Sequence, residues 1–263
     1  MTARIFAIVL NTFREAIRNK VLYGVLGVVI AANLMAVVLG AMSLAEEARI
    51  ARDVGLAGVS LFGSLTAIVL GVSLLYAEIQ KRTIQLILSK PIERYEFVLG
   101  KYLGMAVTLT LLVAAFAVAL AAMLRFSGMD FDENVAKAVL LGWMEVMVVA
   151  AIAIFFSSFS TPFLSGIFTF AIFVIGRSSQ ELRYAADKAK SEVLRVIGRA
   201  ALYVTPDLHL YAISGGEVDG KHVSVNADFV GWAYVGHAGL YALAVVAILL
   251  ILAIVVFQRR DFA

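Results

Sequence analysis

The chain has 263 residues, 62% of them hydrophobic and 16% charged, with a mean hydropathy of +0.94, whereas soluble domains carry about a quarter charged residues. That balance excludes an ordinary water-soluble domain, and the absence of cysteine excludes disulfides, thiolate metal sites and cysteine nucleophiles. The net charge of +3 does not point to nucleic acid, because the basic residues sit beside apolar runs, where membrane topology places them.

Taken from the N-terminus, Arg4, Asn11, Arg14, Glu15 and Arg18 share one helical face and Phe6, Val9, Leu10, Phe13 and Ile17 the other. This predicts an interfacial amphipathic helix, and the short apolar run Ile5 to Leu10 does not resemble a cleavable signal. Six apolar spans follow, over 21–43, 56–77, 97–124, 135–156, 162–176 and 230–257. Each membrane crossing needs about 20 residues, so the expected fold is all-α, one transmembrane domain over 1–263 with no room for a second soluble domain. The fifth span is the shortest. It is expected to form a hairpin with the fourth, turned at Ser157 to Thr161, with Thr161 as N-cap and Pro162 at the first helical position. The long segment 177–229 repeats apolar residues at Leu182, Ala186, Ala189, Val193, Val196 and Ala200, the pattern of one outer amphipathic helix against the membrane or the bundle mouth. Its remainder, with Pro206, Gly215, Gly216 and Gly220, reads as loop.

Lysine and arginine near the span ends place both termini in the cytosol. The inner segments hold Arg4, Arg14, Arg18, Lys20, Lys81, Arg82, Lys90, Arg94, Lys101, Arg259 and Arg260, while acidic clusters at Glu46, Glu47, Asp53 and at Asp130, Asp132, Glu133 fall outside.

Between the second and third spans, Ile84, Ile87 and Leu88 form a short apolar stripe, and the residue before Pro91 is biased out of the helical region. This predicts a short cytosolic helix followed by a break. Glu93 and Glu96 then open the third span, where the helix dipole favours acids, and Lys101 is expected to snorkel to the interface. A helix held between two spans suits a groove on a soluble partner, and equally a loop whose apolar residues dip into the membrane.

The acid Glu78, Thr83, the run Leu86 to Ser89, Pro91, Arg94, Glu96 and Gly100-Lys101 resemble the coupling-helix region of type-2 export permeases of ATP-binding cassette (ABC) transporters. The N-terminal interfacial helix, the stretch Tyr203 to Leu208 and the terminal Phe257 to Phe262 agree, so the resemblance spans essentially the whole chain. Arg82 and Glu93 depart from it, standing where glycine and serine are usual. The resemblance implies a multi-pass exporter subunit in the cytoplasmic (inner) membrane, itself non-catalytic and without cofactor or metal. It implies pairing with a second copy of itself and with two separate ATPase subunits, and leaves the outer segment open to a periplasmic or extracellular partner. Glu78, Thr83, Ile84, Ile87, Leu88, Ser89, Pro91 and Arg94 would form the ATPase-coupling segment, with the turn Ser157 to Thr161 as a smaller contact.

Glu145 stands near the middle of the fourth span, where an acid must be protonated, paired or facing water. A substrate-path or proton site and a hydrogen-bonded seal at the bundle or dimer interface both fit it. Asn33, in the first span, fits helix-to-helix hydrogen bonding better than a ligand site. The stretch Gly215 to Lys221 imitates a P-loop, but His222 stands where Ser or Thr must hold magnesium. Two other functions compete: an ion-coupled secondary carrier using Glu145, and an intramembrane serine hydrolase pairing His237 with one of Ser73, Ser157, Ser158 or Ser165, none of which has a glycine-framed setting. The eight methionines, without clustered histidine, read as hydrophobic filler rather than a metal path.

Overall fold

A computed structural model describes residues 2–41, 47–80, 93–126, 130–189, 191–211, 217–218, 221–226 and 229–258. The described elements are α1 (Thr2–Ile17), α2 (Lys20–Ala41), α3 (Glu47–Gln80), α4 (Arg94–Phe126), α5 (Glu133–Ser157), α6 (Pro162–Arg177), α7 (Ser179–Lys188), α8 (Glu192–Val204), a 3-10 turn (His209–Tyr211), the short strands β1 (Glu217–Val218) and β2 (Lys221–His222), and α9 (Trp232–Gln258). Residues 83, 84, 87, 88, 89 and 91 of the expected coupling segment lie outside the described residues.

Among the described residues four helices are long and apolar enough to cross a bilayer, in α3, α4, α5 and α9. The pair α6 and α7, bent by 72° at their junction, adds a fifth if taken as one broken span. The helix α2, with 22 residues, takes in residues 21–41 of the first expected span and is about 33 Å long at 1.5 Å per residue. By the same rise α6, with 16 residues, reaches only about 24 Å, which is why the bend matters to the count.

The centre of the bundle is α5, packed chiefly on α3. Small residues permit this. A Cβ on Gly71 would lie 2.5 Å from Ala153 Cβ, and one on Gly63 would lie 2.7 Å from Val146 Cγ2. Without a hydrophobic drive between helices in lipid, such close backbone approach supplies the packing attraction. On the outside, large apolar side chains are exposed along α4 (Leu103, Val107, Leu111, Val118), α6 (Phe163, Ile167, Phe170) and α9 (Leu240, Leu243, Ile248, Ile251). A surface of that kind is at home in hydrocarbon.

At one end of the bundle, α1 lies on α4. A Cβ on Gly100 would meet Ile8 at 2.6 Å, and one on Gly104 would meet Thr12 at 2.6 Å. The helix is therefore three-faced rather than two-faced as expected. Ile8, Thr12 and Ala16 face α4, Phe6 and Leu10 stay exposed, and Arg14 and Arg18 are solvated. Lys101 corrects another expectation. It does not snorkel outward but is buried, with its ammonium 3.3 Å from the Glu15 carboxylate of α1, because α1 covers the surface along which it would have extended.

The outer segment is also rearranged. The single amphipathic helix expected across 182–200 is two helices, broken where Ala189 and Ser191 take extended backbone. Gly198 of α8 then packs so closely on α7 that its Cβ would sit 2.9 Å from Ala186 Cβ. Thr161 precedes α6 with extended backbone and Pro162 at the start, as expected, but its side chain makes no capping bond. The expected loop contains a two-residue antiparallel ladder, Glu217 opposite His222 and Val218 opposite Lys221.

Candidate functional site

Two places hold the residues singled out by sequence. The first is the bundle end where α3 stops at Gln80 and α4 starts at Arg94. Glu78 belongs to the last turn of α3. The Arg94 guanidinium donates to the main-chain carbonyls of Phe257 at 3.2 Å and Gln258 at 2.6 Å, satisfying carbonyls that a helix C-terminus leaves without intrahelical donors. Beside it the rings of Phe97 and Phe257 stack, 5.7 Å between centroids. The Glu96 carboxylate accepts from the Glu93 N–H at 3.3 Å, the returning half of a capping box. The start of α4 is thus fixed to the end of α9 and, through Lys101 and Glu15, to α1. In the turn 158–160 between α5 and α6, the Ser158 hydroxyl donates to Phe155 O at 2.7 Å, and Phe155, Phe156 and Phe159 form an aromatic cluster.

The second place is the bundle interior. Glu145 is fully buried and accepts from Arg177, at 2.9 Å on Oε1 and 3.3 Å on Oε2. The Ser60 hydroxyl donates to Glu145 and accepts from the same guanidinium. A buried carboxylate in this setting costs several kcal/mol unless paired and hydrogen-bonded, and here both conditions hold. Three elements meet at this point: Ser60 on α3, Glu145 on α5 and Arg177 at the last residue of α6, where the chain bends into α7. Sequence reasoning found Glu145 but not its partners. Arg177 was counted with the outer segment because the apolar run stops at Gly176, and an acid and a base 32 residues apart leave no local signature. Asn33 lies on α2, which carries none of the three residues of this cluster.

Around the bend the stretch 205–211 is fastened on both sides. Leu208 N–H donates to Gly176 O at 3.1 Å, and Ser179 Oγ donates to Asp207 at 2.6 Å. A Cβ on Gly176 would lie 2.6 Å from Pro206 O, so only glycine fits that approach. On the other side Asp207 N–H donates to the Tyr241 hydroxyl of α9 at 2.9 Å, and the Tyr234 and Tyr211 hydroxyls donate to Leu210 O and Ala238 O. Burial pushes the Tyr211 phenol well above its ordinary range, so it stays protonated and remains a donor. Of the residues Tyr203 to Leu208 noted in the sequence, Tyr203 and Val204 end α8, and those from Thr205 on belong to a strap between the α6–α7 bend and α9. His237 is exposed on α9, and no described serine is its hydrogen-bond partner. Among the described residues no group of three or more His, Cys, Asp and Glu could hold a metal.

A helical bundle in which several helices are long and apolar enough to cross a bilayer is that of a multi-pass membrane protein. The model of the family described as ABC-2 family transporter protein matches residues 6–262, and the chain belongs to that family. Its members are ABC permeases, normally non-catalytic membrane subunits that work with an ABC ATPase. A comparison with curated proteins gave no match.

Proposed function

We propose that this chain is the export permease of an ABC transporter, with six spans formed by α2, α3, α4, α5, α6 and α9, with α7 bending away from α6 along the outer surface, and with both termini in the cytosol. It works as a pair of copies over two ATPase subunits in the cytoplasmic membrane and performs no hydrolysis itself. Residues 78–94 dock on the ATPase, and the turn 157–161 is a lesser contact. The observation that carries the reading is the anchoring of that segment's exit. Arg94 is bonded to the end of α9 and the first turns of α4 are fixed to α1 through Lys101. A push on the segment would therefore move α4, α9 and α1 together rather than fold a loose loop. In this role Arg94 positions the segment, while Thr83, Ile84, Ile87, Leu88, Ser89 and Pro91 supply the docking surface.

Glu145 fits this reading better than a carrier mechanism. An ion-coupled carrier needs a carboxylate that meets water and changes partner, and Glu145 is fully buried and held by Arg177 and Ser60. We assign it to the seal between α3, α5 and α6, not to the cargo surface. The test is deletion of Thr83 to Ser89 in the reconstituted complex, followed by co-purification of the ATPase subunit. Loss of the subunit is expected, and undiminished co-purification would remove the docking assignment.

A further inference from the structure

Between the helices α7 and α8 lies an open cleft of about 420 Å³ lined by Arg183, Ala186, Asp187, Arg199, Leu202 and Tyr203. Its polar wall is two guanidinium groups and one carboxylate. Arg199 is paired with Asp187 at 3.0 Å, which leaves the charge of Arg183 uncompensated, since no ion pair or hydrogen bond holds it among the described residues. The cleft therefore carries one net positive charge. Its other wall is apolar and continues outward. Tyr203 is 90% exposed, and Val196, seven residues earlier on the same face of α8, is exposed too, as is Val204. A planar guanidinium pairs well with phosphate, and an exposed apolar strip leading from a basic recess matches a hydrocarbon chain leading from an anionic headgroup.

We propose that the α7–α8 cleft binds an amphiphile bearing a phosphate, with Arg183 as its principal phosphate ligand, Arg199 as the second, and Tyr203 and Val196 along the chain. This goes beyond the transport reading and rests on it only in placing α7 and α8 at the outer membrane surface. It requires neither ATP nor the ATPase subunit. Asp187 has a function in this arrangement: it holds Arg199 toward α7, and it also repels a second anion, so one phosphate is expected per cleft.

The probe is dioleoyl phosphatidic acid, titrated onto the full chain purified in detergent and followed by native mass spectrometry, with dioleoylglycerol as the same chains without phosphate. Arg183→Gln is expected to weaken the phosphatidic acid about tenfold, the scale of one charge-assisted bond. Arg183→Lys should fall between the two, because charge is kept but the fork is lost. Lys188→Gln removes the same charge from another face of α7, outside the cleft lining, and should change affinity less than about twofold at a screened surface. Equal losses in Arg183→Gln and Lys188→Gln would show only general surface charge and overturn the site. No loss in Arg183→Gln, or dioleoylglycerol bound as tightly as the phosphatidic acid, would also overturn it. Displacement by millimolar inorganic phosphate would reassign the cleft to free phosphate and defeat the amphiphile. Co-purification of the ATPase subunit from the same preparations reads the coupling proposal separately, so a failure there leaves the lipid result standing.

Discussion

The helices α5 and α9 are near equals in sequence and opposites in place. They have 25 and 27 residues and both are strongly apolar, yet 67% of the apolar window of α5 is buried inside the chain and only 22% of that of α9. Hydropathy therefore locates both in the membrane and says nothing of which one faces lipid. What separates them is composition of another kind. The helix α5 carries Glu145, Gly142 and the run Ala150, Ala151, Ala153, while α9 presents Leu240, Leu243, Ile248 and Ile251 outward. Small residues do not distinguish them, since α9 carries Gly236, Ala238, Gly239 and Ala242 as well; the buried acid, which demands a partner, does, and α5 is the helix around which the others assemble.

The comparison is broken most severely at Glu145. Glu145→Ala strands the Arg177 charge in a site where only 31% of its side chain is accessible, and is expected to cost about 3–5 kcal/mol, as for other broken buried pairs. Thermal unfolding of the purified permease checks this, and the double variant Glu145→Ala, Arg177→Met should recover much of the loss, since no charge is left uncompensated. Next comes Gly71→Leu, which drives a side chain into Ala153 and should cost about 1–3 kcal/mol by overpacking. Arg94→Ala removes two bonds to the end of α9 and should lower stability by about 1–2 kcal/mol, the range for a charged donor near a surface. The smallest effect is expected on α9 itself. Leu243→Ala and Ile251→Ala trade one lipid-facing apolar group for another and should stay within about 0.5 kcal/mol. A loss of several kcal/mol there would show that α9 is covered by another protein surface rather than by lipid.

The crossings were legible because a bilayer imposes length and apolarity, and the spans expected at 97–124 and 135–156 lie within α4 and α5. Thr161-Pro162 marked the start of α6. The rest depended on distant partners. Nothing near Lys101 announces that Glu15 reaches it from α1, and nothing near Glu145 announces Arg177. The split of the outer helix turned on Gly198 packing against Ala186, a tertiary contact that the periodic apolar pattern conceals. One local signal does exist in the outer segment: Asp219-Gly220 between Val218 and Lys221 is a hairpin sequence, and β1 and β2 flank it. At the candidate site, the motif from Glu78 to Lys101 was visible as a pattern, whereas the anchoring of Arg94 on Phe257 and Gln258 needed the fold.

The central claim is that energy enters this permease through residues 78–94. Because the chain has no cysteine, single cysteines can be placed without background, and the most direct measurement is disulfide or maleimide cross-linking between Ile87→Cys and the ATPase subunit in the assembled complex, with Leu243→Cys on α9 as the comparison. The account predicts a permease–ATPase adduct from Ile87→Cys that changes in yield when ATP is added, and none from Leu243→Cys. An assembled, ATP-hydrolysing complex in which Ile87→Cys forms no such adduct would contradict it.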